Sequence, residues 1–281
     1  MRTEETFDRV IHAVVRPPGH NFAEGTCPAA GIPDYELALV QHAAYCAALE
    51  KCGVALTSLK ADTHFPDGCF ISDMAVVAGN LAVVCNFADD SPRQGEQKAS
   101  ASRLSSARFL KFVTSPGRLD SGDVLQIQDY FYIGLSDHTN PKGAAQLSRF
   151  LQEFGYKAEI LDLEGETPLR LRMAAAYLGR DRILIREDIS RHYAFLQYEK
   201  IIVPREESRG ANAVMVNGTL LLPAGCPVTL SRLKAAGIPV IETDISEFEK
   251  MNRGLSCLSL RLPVPARDNV IALPERIRQI S

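Results

Sequence analysis

No apolar run in the 281 residues approaches the roughly 20 needed to span a bilayer. The amino terminus, Met1-Arg2-Thr3-Glu4-Glu5, is charged and lacks the apolar stretch of a signal peptide, so the cytoplasm is the expected compartment. Net charge is only −3, and lysine and arginine are scattered, which argues against nucleic acid or an anionic membrane surface as a partner. The seven cysteines (Cys27, Cys46, Cys52, Cys69, Cys85, Cys226 and Cys257) are odd in number and contain no CxxC pair. They are expected to be free thiols, neither a disulfide framework nor a zinc site. Histidines, cysteines and carboxylates show no ligand spacing, so no metal is expected. A phosphate loop and a dinucleotide fingerprint are also missing, and with them any sign of a cofactor.

What is present is an ordinary globular balance of 46% hydrophobic and 23% charged residues, enough to bury a large core. Beneath it lies a repeat. Four segments share an acidic or amide residue, an apolar strand, a tight turn and a second apolar strand: 73–84, 123–133, 174–185 and 212–222. The first turns at Gly79-Asn80 and the fourth at Asn217-Gly218. Asn-Gly between β-rich runs is a strong hairpin signal, because both central residues must accept positive φ. Helical spacing follows at 139–154 and 36–51, with a shorter stretch at 230–236, and each runs up to a glycine (Gly155, Gly53, Gly237). Short strands come next at 54–59, 157–161 and 238–241.

The unit is therefore strand–strand–helix–strand, with starts about 50, 50 and 40 residues apart. An opening strand at 12–16 and a closing strand at 258–262 complete about five units. Such units cannot bury their faces alone, so they should pack around a common centre. The expected fold is a pseudo-symmetric α/β propeller of ββαβ units forming one domain over residues 1–281; an irregular α/β sandwich is the alternative.

In such a ring the strand ends meet around a central cavity, and polar residues there are site candidates. Asp67, Phe70 and Asp73 stand before the first hairpin, Asp120 and Asp123 before the second, Asn212 before the fourth, and Ser256-Cys257 before the last strand. Each aspartate taken singly could be a turn or cap residue. Cys257 follows the glycine-containing turn Asn252-Arg253-Gly254-Leu255-Ser256, where a thiol can be rigidly held. It is the leading reactive group, a buried structural cysteine being the alternative.

Several ordered segments carry a resemblance. They are His12-Ala13-Val14-Val15-Arg16-Pro17, 67–77, Leu119-Asp120-Ser121-Gly122-Asp123-Val124-Leu125, Gly134-Leu135-Ser136-Asp137-His138-Thr139-Asn140 and Gly254-Leu255-Ser256-Cys257. Over nearly its whole length the chain resembles the dimethylargininase branch of the guanidino-modifying, or pentein, superfamily. The resemblance implies a five-bladed ββαβ propeller. It also implies a small-molecule, arginine-like substrate, with a homodimer allowed. The implied chemistry is cysteine attack on a guanidinium carbon, giving an amidino-thioether, a departing amine and a ureido product. On that pattern Cys257 is the nucleophile, Asp73 holds the guanidinium, Asp67 and Phe70 line the pocket, and Arg93 grips a substrate carboxylate.

The match departs from the pattern at four places. Arg170 stands at the family's proton-shuttling histidine, and Ser72 replaces its glutamate partner. His138 replaces a carboxylate-binding arginine, and Asn252 replaces an aspartate. Arginine lowers a nearby thiol's pKa but holds its own proton near pH 7. Three readings follow. One is a cysteine hydrolase of a guanidino or amidino compound related to N-methylated arginine, with His138 as a relocated acid/base or merely a helix N-terminal residue. Another is a diverged enzyme that uses Cys257 on a less cationic electrophile, because Arg170 and Asn252 both make the pocket less negative. The last is a noncatalytic amino-acid binder. Asp123 and Asn252 complete the expected substrate-binding set.

Overall fold

The structure, a computed structural model, describes residues 9–25, 31–88, 91–96, 109–162 and 170–263. These form five three-stranded sheets of one design, each an antiparallel hairpin with a third strand added in parallel. The first blade joins β1 (Val10–Val15) and β2 (Ala55–Ser58) to the last strand, β15 (Ser259–Pro263). The second holds β3 (Ala75–Ala78), β4 (Leu81–Val84) and β5 (Phe109–Phe112). The third holds β6 (Val124–Ile127), β7 (Tyr130–Gly134) and β8 (Lys157–Leu161), and the fourth β9 (Ala175–Gly179), β10 (Arg182–Arg186) and β11 (Glu199–Val203). The fifth is β12 (Val214–Val216), β13 (Thr219–Pro223) and β14 (Val240–Thr243).

The crossovers follow the local sequence. In the first blade α1 (Tyr35–Lys51) starts where the Asp34 carboxylate accepts the Leu37 N–H at 3.0 Å. In the third, α2 (Pro141–Glu153) starts where the Asn140 side chain accepts the Gly143 N–H at 2.8 Å and Pro141 supplies a preset φ. The fifth crosses over through α4 (Pro227–Ala235), after a one-turn helix α3 (Leu171–Ala174) in the fourth; a further turn, α5 (Ser246–Glu249), precedes the last strand. Residues 187–195 of the fourth crossover form two 3₁₀ turns where the repeat predicts a helix. Ser190, His192 and the exposed Tyr193 there break any apolar stripe long enough to drive one.

The core is divided into wedges between successive blades. Val14 and Leu260 of the first blade meet Ala75, Ala82 and Val84 of the second. Met74, Val76 and Val83 meet Phe131, Ile133 and the buried face of α2. Leu125 and Tyr132 then pack on Ala175 and Ile183, and Leu184 and Val203 on Leu220 and Leu222. Val214, Val216 and Leu221 close the circle on Ala13, Tyr45 and Leu49. Since each buried aliphatic side chain contributes about 1.5–3 kcal/mol, no blade is stable without its neighbours. The expected propeller is therefore the observed architecture. No helix among the described residues is long and apolar enough to cross a membrane.

A helical turn leads into every hairpin, at Ile71–Met74, Ser121–Asp123, Leu171–Ala174, Arg205–Ala211 and Leu255–Cys257. These five equivalent turns carry or flank Asp73, Asp123, Arg170, Asn212 and Cys257.

The Asn217-Gly218 turn adopts the expected pair of positive φ angles, +48° and +85°. Asn217 also pins the fifth blade to the first: its side chain accepts the Val10 N–H at 2.9 Å and donates to the carbonyls of Val10 and Cys52, each at 2.8 Å. Asn217→Ala loses those bonds and sets alanine in the left-handed region, costing about 1–2 kcal/mol in urea denaturation. Asn217→Gly should cost less, because it keeps the backbone freedom. Equal stability of all three proteins would contradict this joint.

Candidate active site

Three guanidinium groups converge on Oδ2 of the fully buried Asp73: Arg93 Nη1 at 2.8 Å, Arg253 Nε at 3.2 Å and Arg170 Nη1 at 3.7 Å. Burial alone would raise this carboxyl, but the charges of Arg93, Arg253 and Arg170 hold it well below the usual carboxylate range. Its other oxygen, Oδ1, has no hydrogen-bond donor. Asp67, also buried, has no donor on either oxygen among the described residues, and the Arg253 guanidinium lies 3.7 Å from it.

Arg93 is held by the protein itself. Nε and Nη2 bind the Glu96 carboxylate at 2.8 and 3.1 Å, and Nη2 also reaches the carbonyls of Asp67 and Phe70 at 3.4 Å. In this arrangement its donors serve Asp73, Glu96 and the two carbonyls. Phe70 belongs to an aromatic cluster with Phe22 and Phe248, ring centroids 6.2 and 6.1 Å away, and the Arg253 guanidinium lies 5.4 Å from its ring centre.

Arg170 caps α3 and spans two blades, pairing with Asp120 Oδ2 at 2.9 Å as well as with Asp73. The two segment residues before it, Pro168 and Leu169, lie outside the described residues, as do Asp89 and Asp90 before Arg93. Asp123 sits one turn from Asp120. Its Oδ2 accepts the hydroxyls of Ser136 at 2.7 Å and Thr139 at 2.6 Å, while Oδ1 has no partner. Burial, with the charge of Asp120, pushes this carboxyl up to about 7 against the pull of those hydroxyls and of Arg170.

His138 is exposed on the loop before α2, its backbone N–H bound by Ser136 Oγ at 3.0 Å. Partial burial and the Arg170 charge lower its pKa, which leaves the ring neutral at pH 7; Asp120 and Asp137 act the other way. Asn252 is an exposed turn residue at φ +53°, and its carbonyl accepts Arg253 Nη1 at 3.1 Å. A left-handed backbone reverses the chain here, so the residue supports Arg253 through its main chain while its side chain stays in solvent.

Cys257 ends the last of the five turns and is only 2% exposed. Burial and then Asp73 raise its thiol pKa, while Arg172, Arg253 and Arg170 pull it down. The turn is held from the fifth blade. Asn212 accepts the Ser256 N–H at 3.0 Å, donates to Ser256 Oγ at 2.8 Å, and binds the Arg172 carbonyl at 2.9 Å. Any Cβ on Gly254 would overlap the Asn212 amide, so only glycine lets the two segments approach. Of the expected free thiols, Cys46, Cys52, Cys69, Cys85, Cys226 and Cys257 are free, and Cys27 lies outside the described residues.

The five turns thus bring together Cys257, Asp73, Arg170, Asp123 and Asn212, with Asp67, Arg93 and His138 at the margins of one charged cluster. Sequence inspection missed Arg172 and Arg253. Arg253 could have been found in the turn Asn252-Arg253-Gly254, where a basic residue beside a glycine precedes the thiol. Arg172 shares the segment Arg170-Leu171-Arg172, in which only the first arginine drew notice.

The Asp123 carboxyl sets a stability trend. Its folded pKa lies above the unfolded value of about 3.9, so the native state holds a proton that the unfolded chain has lost. Its contribution to stability therefore falls as pH rises from about 4 to about 7, by at most about 1.4 kcal/mol per pH unit. Asp123→Asn should flatten that slope in urea denaturation at pH 5 and pH 7.5. An unchanged slope would contradict the buried, protonated state.

Comparison with known proteins places this geometry. No family model matches the chain. The N(G),N(G)-dimethylarginine dimethylaminohydrolase of Pseudomonas aeruginosa is 34% identical over 255 residues, covering 89% of this chain and 98% of that one. The protein of the same name from Streptomyces coelicolor is 32% identical over 259 residues, covering 89% and 96%. Among solved structures, a cysteine-to-serine variant of DDAH from Pseudomonas aeruginosa complexed with citrulline superposes with a TM-score of 0.86 at 32% identity, covering 90% of this chain and 100% of that one. With five three-stranded blades around one centre and this extent of identity, the chain belongs to the dimethylarginine dimethylaminohydrolase family of pentein-fold enzymes.

Proposed function

We propose that the protein hydrolyses a carbon–nitrogen bond of a guanidino or amidino compound related to N-methylated arginine, with Cys257 as the nucleophile. The observation that carries this reading is the set of unmatched oxygens on the two buried carboxylates. Among the described residues Asp67 has no donor on either oxygen and Asp73 none on Oδ1, in the cluster that holds Cys257. A buried acceptor left unmatched costs about 1–3 kcal/mol, and an amidinium or guanidinium offers N–H groups to match it. The relatives named for dimethylarginine hydrolysis, one of them with citrulline bound in its variant form, support the same class of substrate.

The chemistry runs in two halves. Cys257 Sγ bonds to the central carbon of the amidine, the bond from that carbon to the outgoing nitrogen breaks, and the amine departs carrying a proton. Water then adds to the thioether carbon and the carbon–sulfur bond breaks, which returns the thiol and leaves a ureido oxygen. Arg170 supplies charge at this site but keeps its proton near pH 7, its pKa being raised by the carboxylates Asp120 and Asp73 against the effect of burial. The proton carrier of this reading is His138, neutral at pH 7 and within the fields of Arg170 and Asp120. Because its pKa is lowered, the basic form persists below the ordinary histidine range of about 6.5, and activity should hold to correspondingly lower pH.

A second reading has its own observation. Asp73 Oδ2 is already compensated by Arg93, Arg253 and Arg170, so the site is less negative than one built to hold a free cation. An electrophile with less positive charge than a guanidinium would suit it better. One experiment separates the two. The protein is incubated with asymmetric dimethylarginine, with arginine and with an N-nitroarginine, whose guanidine is uncharged at pH 7, and the ureido product and the released nitrogen compound are measured. The first reading predicts citrulline from dimethylarginine, none with Cys257→Ala, and about 10²-fold or greater loss with His138→Asn. Turnover of the neutral analogue alone would favour the second reading; turnover by Cys257→Ala would contradict both.

A further inference from the structure

Five arginines lie around Cys257 and Asp73, and three of them have carboxylate partners. Arg93 pairs with Asp73 and Glu96, Arg170 with Asp73 and Asp120, and Arg253 with Asp73 and Asp67. Arg172, half-buried in α3, is different. Its two terminal nitrogens each donate to Ser72 Oγ at 3.1 Å, one reaches Ser121 Oγ at 3.3 Å, and the other binds the carbonyl of Ser256. Among the described residues no carboxylate pairs with it. The side chain at 72 is a serine hydroxyl, which offers this guanidinium no counter-charge.

The contacts also have a direction. Ser72, Ser121 and Ser256 belong to the turns that lead into the second blade, the third blade and the last strand. Arg172 therefore ties three of the five turns to its own, and one tie is to the carbonyl directly preceding the reactive cysteine. Asn212, which binds the Arg172 carbonyl and both polar groups of Ser256, holds the two partners in register from the fifth blade.

We propose that Arg172 is a positioning residue of the reaction: it clamps the main chain that carries Cys257 and lends the sulfur an uncompensated positive charge, so that the buried thiol can ionise. This rests on the reading of Cys257 as the nucleophile. The charged groups facing the sulfur are Asp73 from the second-blade turn, Arg170 and Arg172 from α3, Arg253 from the turn after α5, and Arg261 from β15. Asp73 opposes ionisation. The charges of Arg170 and Arg253 are shared with that same aspartate, whereas the bonds of Arg172 go only to neutral oxygens.

The test measures the sulfur, not turnover. The full chain is alkylated with iodoacetamide from pH 5 to pH 10, and the rate at Cys257 is read by peptide mass. A single neighbouring cation typically lowers an ionisation midpoint by about 1–3 units. Arg172→Met should therefore raise the Cys257 midpoint by at least about one unit and slow alkylation at neutral pH about tenfold or more. Arg172→Lys, which keeps the charge, should restore most of the shift, and Ser121→Ala should leave the midpoint in place. Matching melting temperatures for Arg172→Lys and the parent protein show that any change reflects the site. An Arg172→Met profile equal to that of the parent, or an Arg172→Lys profile no better than Arg172→Met, would overturn the proposal. A parent Cys257 that is unreactive throughout the range would instead overturn its assignment as nucleophile.

Discussion

The ion cluster on Asp73 is the constraint on which the rest of this site depends. A carboxylate with no exposure to water costs several kcal/mol unless it is paired and hydrogen-bonded. Asp73 meets that demand with guanidinium groups from three separate stretches of chain: Arg93 after β4, Arg170 before β9 and Arg253 before the last strand. Each of those arginines has a second carboxylate, so the charges form a network anchored to Glu96, Asp120 and Asp67. Removing one member strands the others, which for buried pairs costs about 3–5 kcal/mol. The network thus fixes where the blades stand around the cysteine, whatever its net contribution to stability.

Within that frame Arg170 and Ser72 act together. Arg170 brings a fixed positive charge to Asp73 and Asp120, and Ser72 offers Arg172 a neutral hydroxyl. Both leave positive charge beside Cys257. A buried thiol beside Asp73 needs that charge, since burial and the aspartate both resist its ionisation. Two titratable groups near this cluster have shifted pKa values. Asp123, pushed up to about 7, and His138, lowered from the usual histidine value, both feel the charges of Arg170 and Asp120.

The fold was largely legible in the sequence because its signals are local and repeated. Asn217-Gly218 dictates a tight hairpin, Asp34 and Asn140 cap helices, and the 73–84 pattern recurs around the ring. Strands β5 and β11 escaped notice because their third-strand role depends on the neighbouring hairpin, and the fourth crossover lacks the apolar stripe that marks a helix. Of the site, the turn residues Asp73, Asp123, Asn212 and Cys257 could be read from their equivalent places in the repeat. Pairing could not. Nothing local says that Arg93 spends its donors on Glu96, that Arg253 folds back on Asp73 and Phe70, or that Arg172 reaches across to Ser256. Those choices are made by charge balance across blades, which a linear pattern does not carry.

The central claim is that the Cys257 sulfur bonds to the amidine carbon of its substrate inside this charged cluster. It is tested most directly by mixing the protein with asymmetric dimethylarginine, quenching in acid within the first turnovers, and mapping the digested chain by mass. The account predicts an amidino adduct on the peptide that carries Cys257, decaying as citrulline appears. Citrulline formed with no adduct there, or an adduct on another residue that forms and decays at the rate of turnover, would contradict it.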